Sequence, residues 1–272
     1  MNIGVFDSGL GGLTILKSLL KELPEYNYVY LGDNARVPYG NRSAETIYEF
    51  TKQAVDFLFK KNCKLVILAC NTATSNALVK IQKEYLPKYF PDRRVLGVIK
   101  PTIENIKENN HLRVGIVGTK ATVNSGAFVR EIHKVLPKAE VYQQACPMLV
   151  PFIENGEKNE KILKLILEEY LHFLLQKKIT TIVLACTHYG LIKKQFQDVV
   201  GPKIKVISEG RLVADKLRTY LNKHPEIEKN LDKKYQTEYF VTDLSPDYHE
   251  LIRLFLGSHW KDTKINLINL SS

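Results

Sequence analysis

The stretch "LVILACNTATS" (residues 65–75) begins with four apolar residues and ends in Cys70 and several hydrogen-bonding side chains. A second stretch, "TIVLACTHYGL" (181–191), has the same arrangement, with a threonine and a histidine after Cys186. A short apolar run that stops at small polar residues is typical of a buried strand in a parallel sheet. The two stretches therefore predict two buried strands that each end at a thiol.

The rest of the chain alternates between short β-branched or aromatic runs and amphipathic segments. One amphipathic segment begins after Ser43, which we expect to be its N-cap. Such alternation predicts an α/β protein with mostly parallel sheets covered by helices on both faces. The predicted strands are residues 3–6, 28–31, 65–68, 95–99, 114–117, 140–143, 181–185, 205–208 and 238–241.

The two halves of the chain resemble each other. "IGVFDSG" (3–9) and "VGIVGTK" (114–120) each begin a half with a strand that runs into a small polar turn, and each half then contains one Leu-Ala-Cys segment. This predicts two similar, doubly wound α/β domains related by duplication, each with one cysteine at the carboxyl end of a strand. The polar segment 222–234 is expected to be a surface connection.

Composition limits the class of protein. The chain has 272 residues, 44% of them hydrophobic, and 39 basic against 29 acidic residues, for a formal net charge of +10. The lysines are scattered along the amphipathic segments, so we expect a solvated surface and no nucleic-acid partner, with a positive field that attracts small acidic substrates. No apolar run is long enough to cross a membrane and the start has no signal peptide, which predicts a soluble cytoplasmic protein without a membrane partner.

The cysteine pattern argues against disulfides and metals. The four cysteines include no CxxC pair and no grouping with histidine at metal-ligand spacing. We therefore expect free thiols and no metal site, with Cys63 and Cys146 in structural positions.

The ends of the two cysteine strands are the predicted site, because ligands of parallel α/β sheets bind beyond the carboxyl ends of the strands. A thiol before a helix N-terminus is expected to have a lowered pKa. Asn71, Thr72 and Thr187 are donors suited to a carboxylate. Asp7 ends the first strand, and His188 adds a second titratable group.

Two acid/base thiols on opposite lobes fit one reaction class. One thiol removes a proton from a carbon held between them, and the other returns a proton to the opposite face. The Cα proton of an amino acid is a very weak acid, so the site must also stabilise the charge that develops. This chemistry predicts an amino-acid racemase.

Seven motifs in order along most of the chain resemble one family. They are "GVFDSGLGGLT" (4–14), "GDNARVPYG" (32–40), "ACNTAT" (69–74), "GVIKPT" (97–102), "GTKAT" (118–122), "VPFIENG" (150–156) and "ACTHYGL" (185–191). In these motifs the sequence resembles the cofactor-independent glutamate racemases of the aspartate/glutamate racemase superfamily. The resemblance implies an isomerase that supplies D-glutamate for peptidoglycan and hence for cell-wall biogenesis and cell shape, without a cofactor. The oligomeric state is left open, with a homodimer as the candidate.

The resemblance also implies roles for particular residues. Cys70 and Cys186 are the catalytic bases, assisted by Asp7 and His188. Glu154 is a further candidate. The residues implied to bind substrate are Asp7, Ser8, Tyr39, Gly40, Asn71, Thr72, Thr119, Thr122, Thr187 and His188.

The family fold implies a discontinuous first domain, 1–97 with 211–272, and a second domain, 98–210. Four positions depart from the family pattern and leave the detail of the subsites and of the domain interface open: Asn34, Lys100, Gly190 and Glu209. Two alternatives remain at this stage. The chain could be an aspartate racemase or another superfamily enzyme acting on a small acid, or a non-enzymatic module that binds a small anion.

Overall fold

The computed structural model describes residues 1–157, 159–246, 248–260 and 264–270. Within them the strands form two sheets, and every strand pair in both sheets is parallel. The six-stranded sheet contains β1 (Asn2–Asp7), β2 (Tyr28–Gly32), β3 (Cys63–Leu68), β4 (Arg94–Gly97), β9 (Thr237–Val241) and β10 (Ile265–Leu267). The four-stranded sheet contains β5 (Arg113–Gly118), β6 (Glu140–Ala145), β7 (Thr181–Ala185) and β8 (Lys205–Ile207).

Helices connect the strands. They are α1 (Leu13–Glu22), α2 (Ala44–Lys60), α3 (Asn71–Lys80), α4 (Leu86–Tyr89), α5 (Ile99–Glu108), α6 (Lys120–Asn124), α7 (Ala127–Val135), α8 (Leu149–Glu154), α9 (Glu160–Gln176), α10 (Lys193–Val200), α11 (Glu209–Lys223), α12 (Pro225–Glu228) and α13 (Tyr248–Leu256). A π-helical turn, Ile81–Tyr85, joins α3 to α4. Short 3-10 helices span Asn34–Arg36, Tyr39–Asn41, Thr187–Ile192 and Gly257–His259.

The two sheets share one strand order. The first contains the run β2-β1-β3-β4 and the second is β6-β5-β7-β8. In the first sheet, β2 lies on one side of β1 and β3 lies on the other; in the second sheet, β6 and β7 flank β5 in the same way. The direction of winding therefore reverses between β1 and β3 and between β5 and β7, and these two places are the switch points. This agrees with the internal similarity of the sequence and confirms the predicted fold class, two doubly wound parallel α/β units. Both switch points are places where such sheets bind ligands.

Side chains on the two faces of each sheet enter different cores. In β1, Ile3 and Val5 pack into one apolar cluster while Phe6 packs into another on the opposite face. The first cluster continues across to the second sheet, where Ile182 and Leu184 of β7 join it. One apolar core therefore connects the two sheets and holds their carboxyl ends in a defined relation.

Local predictions met with mixed outcomes. Ser43 caps α2, as predicted, since its hydroxyl accepts a hydrogen bond from the Thr46 N–H at 3.3 Å. The predicted strand 95–99 is too long, because β4 ends at Gly97 and α5 begins at Ile99. Pro101 lies in the first turn of α5, where proline is tolerated. The segment 222–234 is more than a surface connection, because it contains α12 and buries Ile227.

The domain boundaries at 97/98 and 210/211 stay a prediction. Of the predicted returning segment, residues 247, 261–263, 271 and 272 lie outside the described residues. Among the residues that the structure describes, no helix is long and apolar enough to span a membrane.

Candidate active site

A cavity of about 260 Å³ lies between the carboxyl ends of the two sheets. Both sheets contribute to its wall, since Cys70 follows β3 and Cys186 follows β7. The lining residues are Ser8, Val37, Pro38, Tyr39, Gly40, Asn41, Cys70, Asn71, Thr72, Thr119, Lys120, Cys146, Pro147, Val150, Pro151, Glu154, Asn155, Cys186, Thr187 and His188. The two cysteines that the sequence singles out therefore share one cavity.

Cys70 is the N-cap of α3. Its sulfur accepts a hydrogen bond from the Ala73 N–H at 3.4 Å and lies 3.3 Å from the Ser8 hydroxyl. Ala69 and Cys70 are buried, as expected where a strand passes directly into a helix that covers the sheet. The Ala73 N–H in the first turn of α3 thus points toward the sulfur.

The prediction that the Cys70 pKa is lowered is wrong. Burial and the nearby Asp7 carboxylate raise the pKa of Cys70 to about 12, against the weaker opposing effects of Ser8 and the Ala73 N–H. Desolvation of a charged sulfur outweighs the favourable helix N-terminus here. At neutral pH Cys70 is therefore a neutral thiol, the form that donates a proton.

Cys186 has a different environment. It precedes a 3-10 helix, Thr187–Ile192, and its side chain caps no backbone N–H, which corrects the expectation of a helix N-terminus equivalent to that at Cys70. Its partner is His188, whose Nδ1 lies 3.8 Å from the sulfur. The second thiol is thus supported by an imidazole.

His188 links Cys186 to Glu154. The imidazole Nε2 lies 2.8 Å from Glu154 Oε1, and the Phe255 ring packs edge-on against the imidazole at 5.7 Å. Burial alone lowers the pKa of His188, but its hydrogen bonds to Cys186 and Glu154 raise that pKa well above its usual value. This raised pKa favours the imidazolium form of His188, with one N–H directed at each partner.

Asp7 lies behind the cavity wall, at the end of β1. Its carboxylate accepts a hydrogen bond from the Gly9 N–H at 3.0 Å, and the Thr187 hydroxyl lies 3.5 Å away. Burial raises the pKa of Asp7, although His188 and the N–H groups of Gly9 and Gly12 oppose this effect. Asp7 does not cap α1, because the N-cap of that helix is Gly12.

A cluster of hydroxyl groups joins the two halves across the cavity. The Thr72 hydroxyl lies 2.9 Å from that of Thr119 and 3.3 Å from that of Thr122. Gly40 packs against Thr119, since a Cβ at position 40 would approach the Thr119 side chain to 2.7 Å. Tyr39, next to it, is buried, and its hydroxyl donates to Asp33.

The structure places nearly all predicted site residues around this cavity. Asp7 and Thr122 are not in the lining and instead hold residues that are. Glu154 forms the hydrogen bond to His188, which "VPFIENG" alone could not indicate. Sequence reasoning missed Cys146, whose place in the lining follows from its position directly after β6, at the same sheet edge as Cys186.

Comparisons with known proteins agree with one another. The family model for Asp/Glu/hydantoin racemases matches residues 3–217. The glutamate racemase of Persephonella marina is 39% identical over 272 residues, covering 98% of each protein, and that of Aquifex aeolicus is 39% identical over 258 residues, covering 94% of each. The crystal structure of the Francisella tularensis glutamate racemase in complex with D-glutamate has a TM-score of 0.89 at 33% identity, over 99% of this chain and 98% of that one.

Proposed function

The chain belongs to the Asp/Glu/hydantoin racemase family, and we infer that it is an isomerase that interconverts L-glutamate and D-glutamate. The similar curated proteins are named glutamate racemases over nearly the full length of this chain. One structural observation carries the mechanism: Cys70 and Cys186 come from different sheets and line the same cavity. We propose that they are the two bases of the reaction.

The proposed reaction moves one proton at a time. With the substrate's Cα between the sulfurs, one cysteine as thiolate takes the Cα proton and becomes a thiol. The other cysteine, as thiol, gives its proton to the opposite face and becomes a thiolate. The product is the other enantiomer, and the two cysteines have exchanged protonation states, so the reverse reaction uses the same groups in opposite roles.

The raised pKa of Cys70 identifies the difficult half of this cycle. A thiol with a pKa of about 12 carries its proton at neutral pH and is rarely a thiolate. The ammonium group of a bound amino acid is a positive charge next to the sulfur, and an opposite charge at a few ångströms favours the ionised form. We propose that substrate binding itself lowers the Cys70 pKa and so prepares the base.

The other thiol, Cys186, lies beside the imidazole of His188. The imidazolium of His188 directs Nδ1 at the Cys186 sulfur and Nε2 at Glu154. We propose that His188 stabilises the Cys186 thiolate and that Glu154 holds the imidazole in its orientation. Asp7 is proposed to serve the Cys70 side, where its carboxylate orders the loop that carries Ser8.

The negative charge that develops on the substrate needs fixed donors. Thr72 and Thr187 line the cavity, and we propose that their hydroxyls, with the N–H groups at the start of α3, bind the α-carboxylate. Because these donors are held by helix and sheet geometry, little reorganisation is needed as charge builds up on the carboxylate. The remaining predicted substrate-binding residues, Ser8, Tyr39, Gly40, Asn71, Thr119 and Thr122, are proposed to hold the rest of the amino acid.

D-Glutamate is a building block of peptidoglycan, so the proposed role is in cell-wall biogenesis and cell shape. A cytoplasmic location is part of the proposal, because catalytic thiols need a compartment that keeps them reduced. A homodimer and the domain division at 97/98 and 210/211 are also proposals. Light scattering on the purified protein tests the first, and limited proteolysis at the two crossings tests the second.

Racemisation followed by circular dichroism, with L-glutamate and L-aspartate side by side and no cofactor added, tests the function directly. We expect loss of optical activity with glutamate and little change with aspartate. Faster turnover of aspartate would replace the proposal by an aspartate racemase. Saturable glutamate binding without racemisation would instead indicate an anion-binding module.

A further inference from the structure

A buried carboxyl group lies behind the cavity wall and is not part of the proton-transfer machinery. Glu209 is the first residue of α11 and is only 3% exposed. Its carboxylate Oε2 accepts a hydrogen bond from Asn71 Nδ2 at 2.5 Å, and its Oε1 lies 3.5 Å from the Thr102 hydroxyl. It thereby joins α11 and α5 to the first residue of α3, next to Cys70.

Asn71 is left with one free polar atom. Its side chain is 2% exposed and lines the cavity. Within the part of the chain that the structure describes, no protein group donates to Asn71 Oδ1. A buried amide oxygen without a donor is unfavourable unless a ligand supplies one.

The orientation of this amide depends on its neighbour. The oxygen and nitrogen of an asparagine side chain are almost the same size, so hydrogen-bond partners decide which of them faces which side. Oε2 accepts in the carboxylate and, with the proton on Oε1, also in the neutral acid, so Glu209 selects the orientation with Nδ2 toward α11. Oδ1 is then the atom left for a donor from the cavity.

On this geometry, and on the proposed function, we propose that Glu209 is a positioning residue that fixes Asn71 as a hydrogen-bond acceptor for the substrate's ammonium group. The ammonium is the donor that a glutamate substrate offers, and accepting one of its hydrogens orients Cα relative to Cys70. Glu209 itself touches no substrate atom. It acts through Asn71.

The arrangement does not depend on the charge of Glu209. Burial raises the pKa of Glu209 to about 8, against the opposing hydrogen bonds from Asn71 and Thr102, so the neutral acid predominates at neutral pH. A proton on Oε1 can be donated to the Thr102 hydroxyl, which in turn lies 3.4 Å from the Val98 carbonyl oxygen. Oε2 still accepts from Asn71 in that state.

A glutamine at position 209, the neutral isostere of glutamate, should therefore still fix the orientation of the Asn71 amide. In Glu209→Gln, the amide oxygen accepts from Asn71 Nδ2 and the amide nitrogen donates to the Thr102 hydroxyl. In Glu209→Ala, nothing selects the orientation of Asn71. Glu104→Ala is the matched control, because Glu104 is a half-exposed carboxylate on α5 that pairs with Lys216 at 3.2 Å, away from the cavity.

Steady-state racemisation of glutamate by wild type and the three variants tests the proposal. We expect Glu209→Ala to raise KM by at least about tenfold, the effect of losing one hydrogen bond to a charged group, with kcat changed much less. Glu209→Gln and Glu104→Ala should keep KM near the wild-type value. A wild-type KM in Glu209→Ala, or a Glu209→Gln variant as impaired as Glu209→Ala, would overturn the role.

A measurement that needs no turnover separates this proposal from the proposed function. The side-chain amide resonances of Asn71, assigned by their loss in Asn71→Asp, should be displaced in Glu209→Ala and retained in Glu209→Gln. If wild type fails to racemise glutamate, the proposed function fails, while these resonances still report whether Glu209 holds Asn71. Unchanged resonances in Glu209→Ala would contradict the positioning role by themselves.

Discussion

At the scale of single residues, the two thiols owe their properties to unlike neighbours. Cys70 is surrounded by apolar atoms, a hydroxyl and a buried carboxylate, and its pKa is raised to about 12. Cys186 is next to an imidazole whose own pKa is raised by hydrogen bonds to the thiol and to Glu154, although burial opposes this. The two thiols therefore have different neighbours, a carboxylate near Cys70 and an imidazole beside Cys186.

Removing either accompanying group should slow the reaction without unfolding the protein. Asp7→Asn and His188→Asn each replace a titratable group that accompanies a thiol by a neutral amide, and groups that take part in proton transfer typically contribute about a hundredfold or more. We expect turnover at least about tenfold slower in each variant. The two directions need not be slowed equally, because each group accompanies a different thiol. Initial rates from both enantiomers, with circular dichroism as the check on folding, measure this, and wild-type rates would assign the residue to a structural role.

Glu154→Gln should lower the pKa of His188. The glutamine keeps the shape but removes the negative charge that favours the imidazolium. The ring resonances of His188, followed by NMR from pH 6 to 9, should titrate at lower pH in the variant. Glu131→Gln, which changes an exposed carboxylate paired with Lys134, is the control and should leave the titration unchanged.

The sign of the linked stability change follows from the same shift. A histidine whose pKa is raised by folding contributes stability that is complete below its unfolded pKa, about 6.5, and is lost as the pH rises through the folded value. The destabilisation caused by Glu154→Gln should therefore be largest in acid and should shrink at alkaline pH. A difference in the midpoint of denaturant unfolding that grows with pH would contradict the account.

At the scale of elements, the site depends on how closely one loop approaches one short helix. The loop after β1 runs against the 3-10 helix Thr187–Ile192, and a Cβ on Gly11 would lie 2.2 Å from the Thr187 Oγ1 and 2.4 Å from the His188 Nδ1. Nothing but a hydrogen atom fits there. Glycine at this position is thus required by packing, because any side chain would displace the imidazole.

Gly11→Ala should consequently reduce kcat by orders of magnitude, through displacement of His188 and Thr187. Gly190, in the same 3-10 helix, is the matched control, since a Cβ there meets no atom within 4 Å and its backbone is in an ordinary conformation. Gly190→Ala should be close to wild type in activity and thermal midpoint. Equal effects of the two substitutions would mean that the loop and the helix are not in the close contact described.

Most of the strands and helices could be predicted from sequence, but the contacts between side chains of different elements could not. Apolar runs such as residues 65–68 and 181–185 predicted strands because burial on both faces leaves a clear pattern. The thiol at the end of each run followed from the same pattern. The hydrogen bond between His188 and Glu154 joins residues far apart in sequence, so no local signal could reveal it. The pKa of Cys70 was misjudged because the degree of burial depends on tertiary packing.

At the scale of the whole molecule, the proposed mechanism requires the two sheets to hold their carboxyl ends face to face. The apolar core that runs across both sheets, from Val5 to Leu184, fixes that relation. The contact between the Thr72 and Thr119 hydroxyls is a second link between the two halves, beside the cavity. Each half supplies one thiol, so neither half contains the complete proposed machinery.

Activity is expected to survive removal of metals. The proposed chemistry uses only side chains of the protein, and among the described residues no three His, Cys, Asp or Glu side chains form a group that could hold a metal ion. After exhaustive dialysis against a chelator, the racemisation rate should equal that of untreated protein. Loss of activity on dialysis, with recovery on adding back a metal, would contradict this.

The substitution of each thiol tests whether both are needed. Cys70→Ala and Cys186→Ala each remove the base on one face, so racemisation should fall by orders of magnitude in both directions. Serine keeps a proton donor but is a far weaker base, so residual activity in Cys70→Ser and Cys186→Ser should depend on direction. Normal racemisation by either alanine variant would remove the two-thiol mechanism.

The most direct test of the two-base mechanism is the fate of the Cα proton in deuterated water. If Cys70 takes the proton and Cys186 returns another, or the reverse, the returned proton comes from solvent. With L-glutamate as substrate and early quenching, mass spectrometry of the separated enantiomers should show deuterium at Cα in almost all of the D-glutamate formed, and in little of the remaining L-glutamate. D-Glutamate that keeps the original proton in early turnover would contradict the account and indicate a single base that serves both faces.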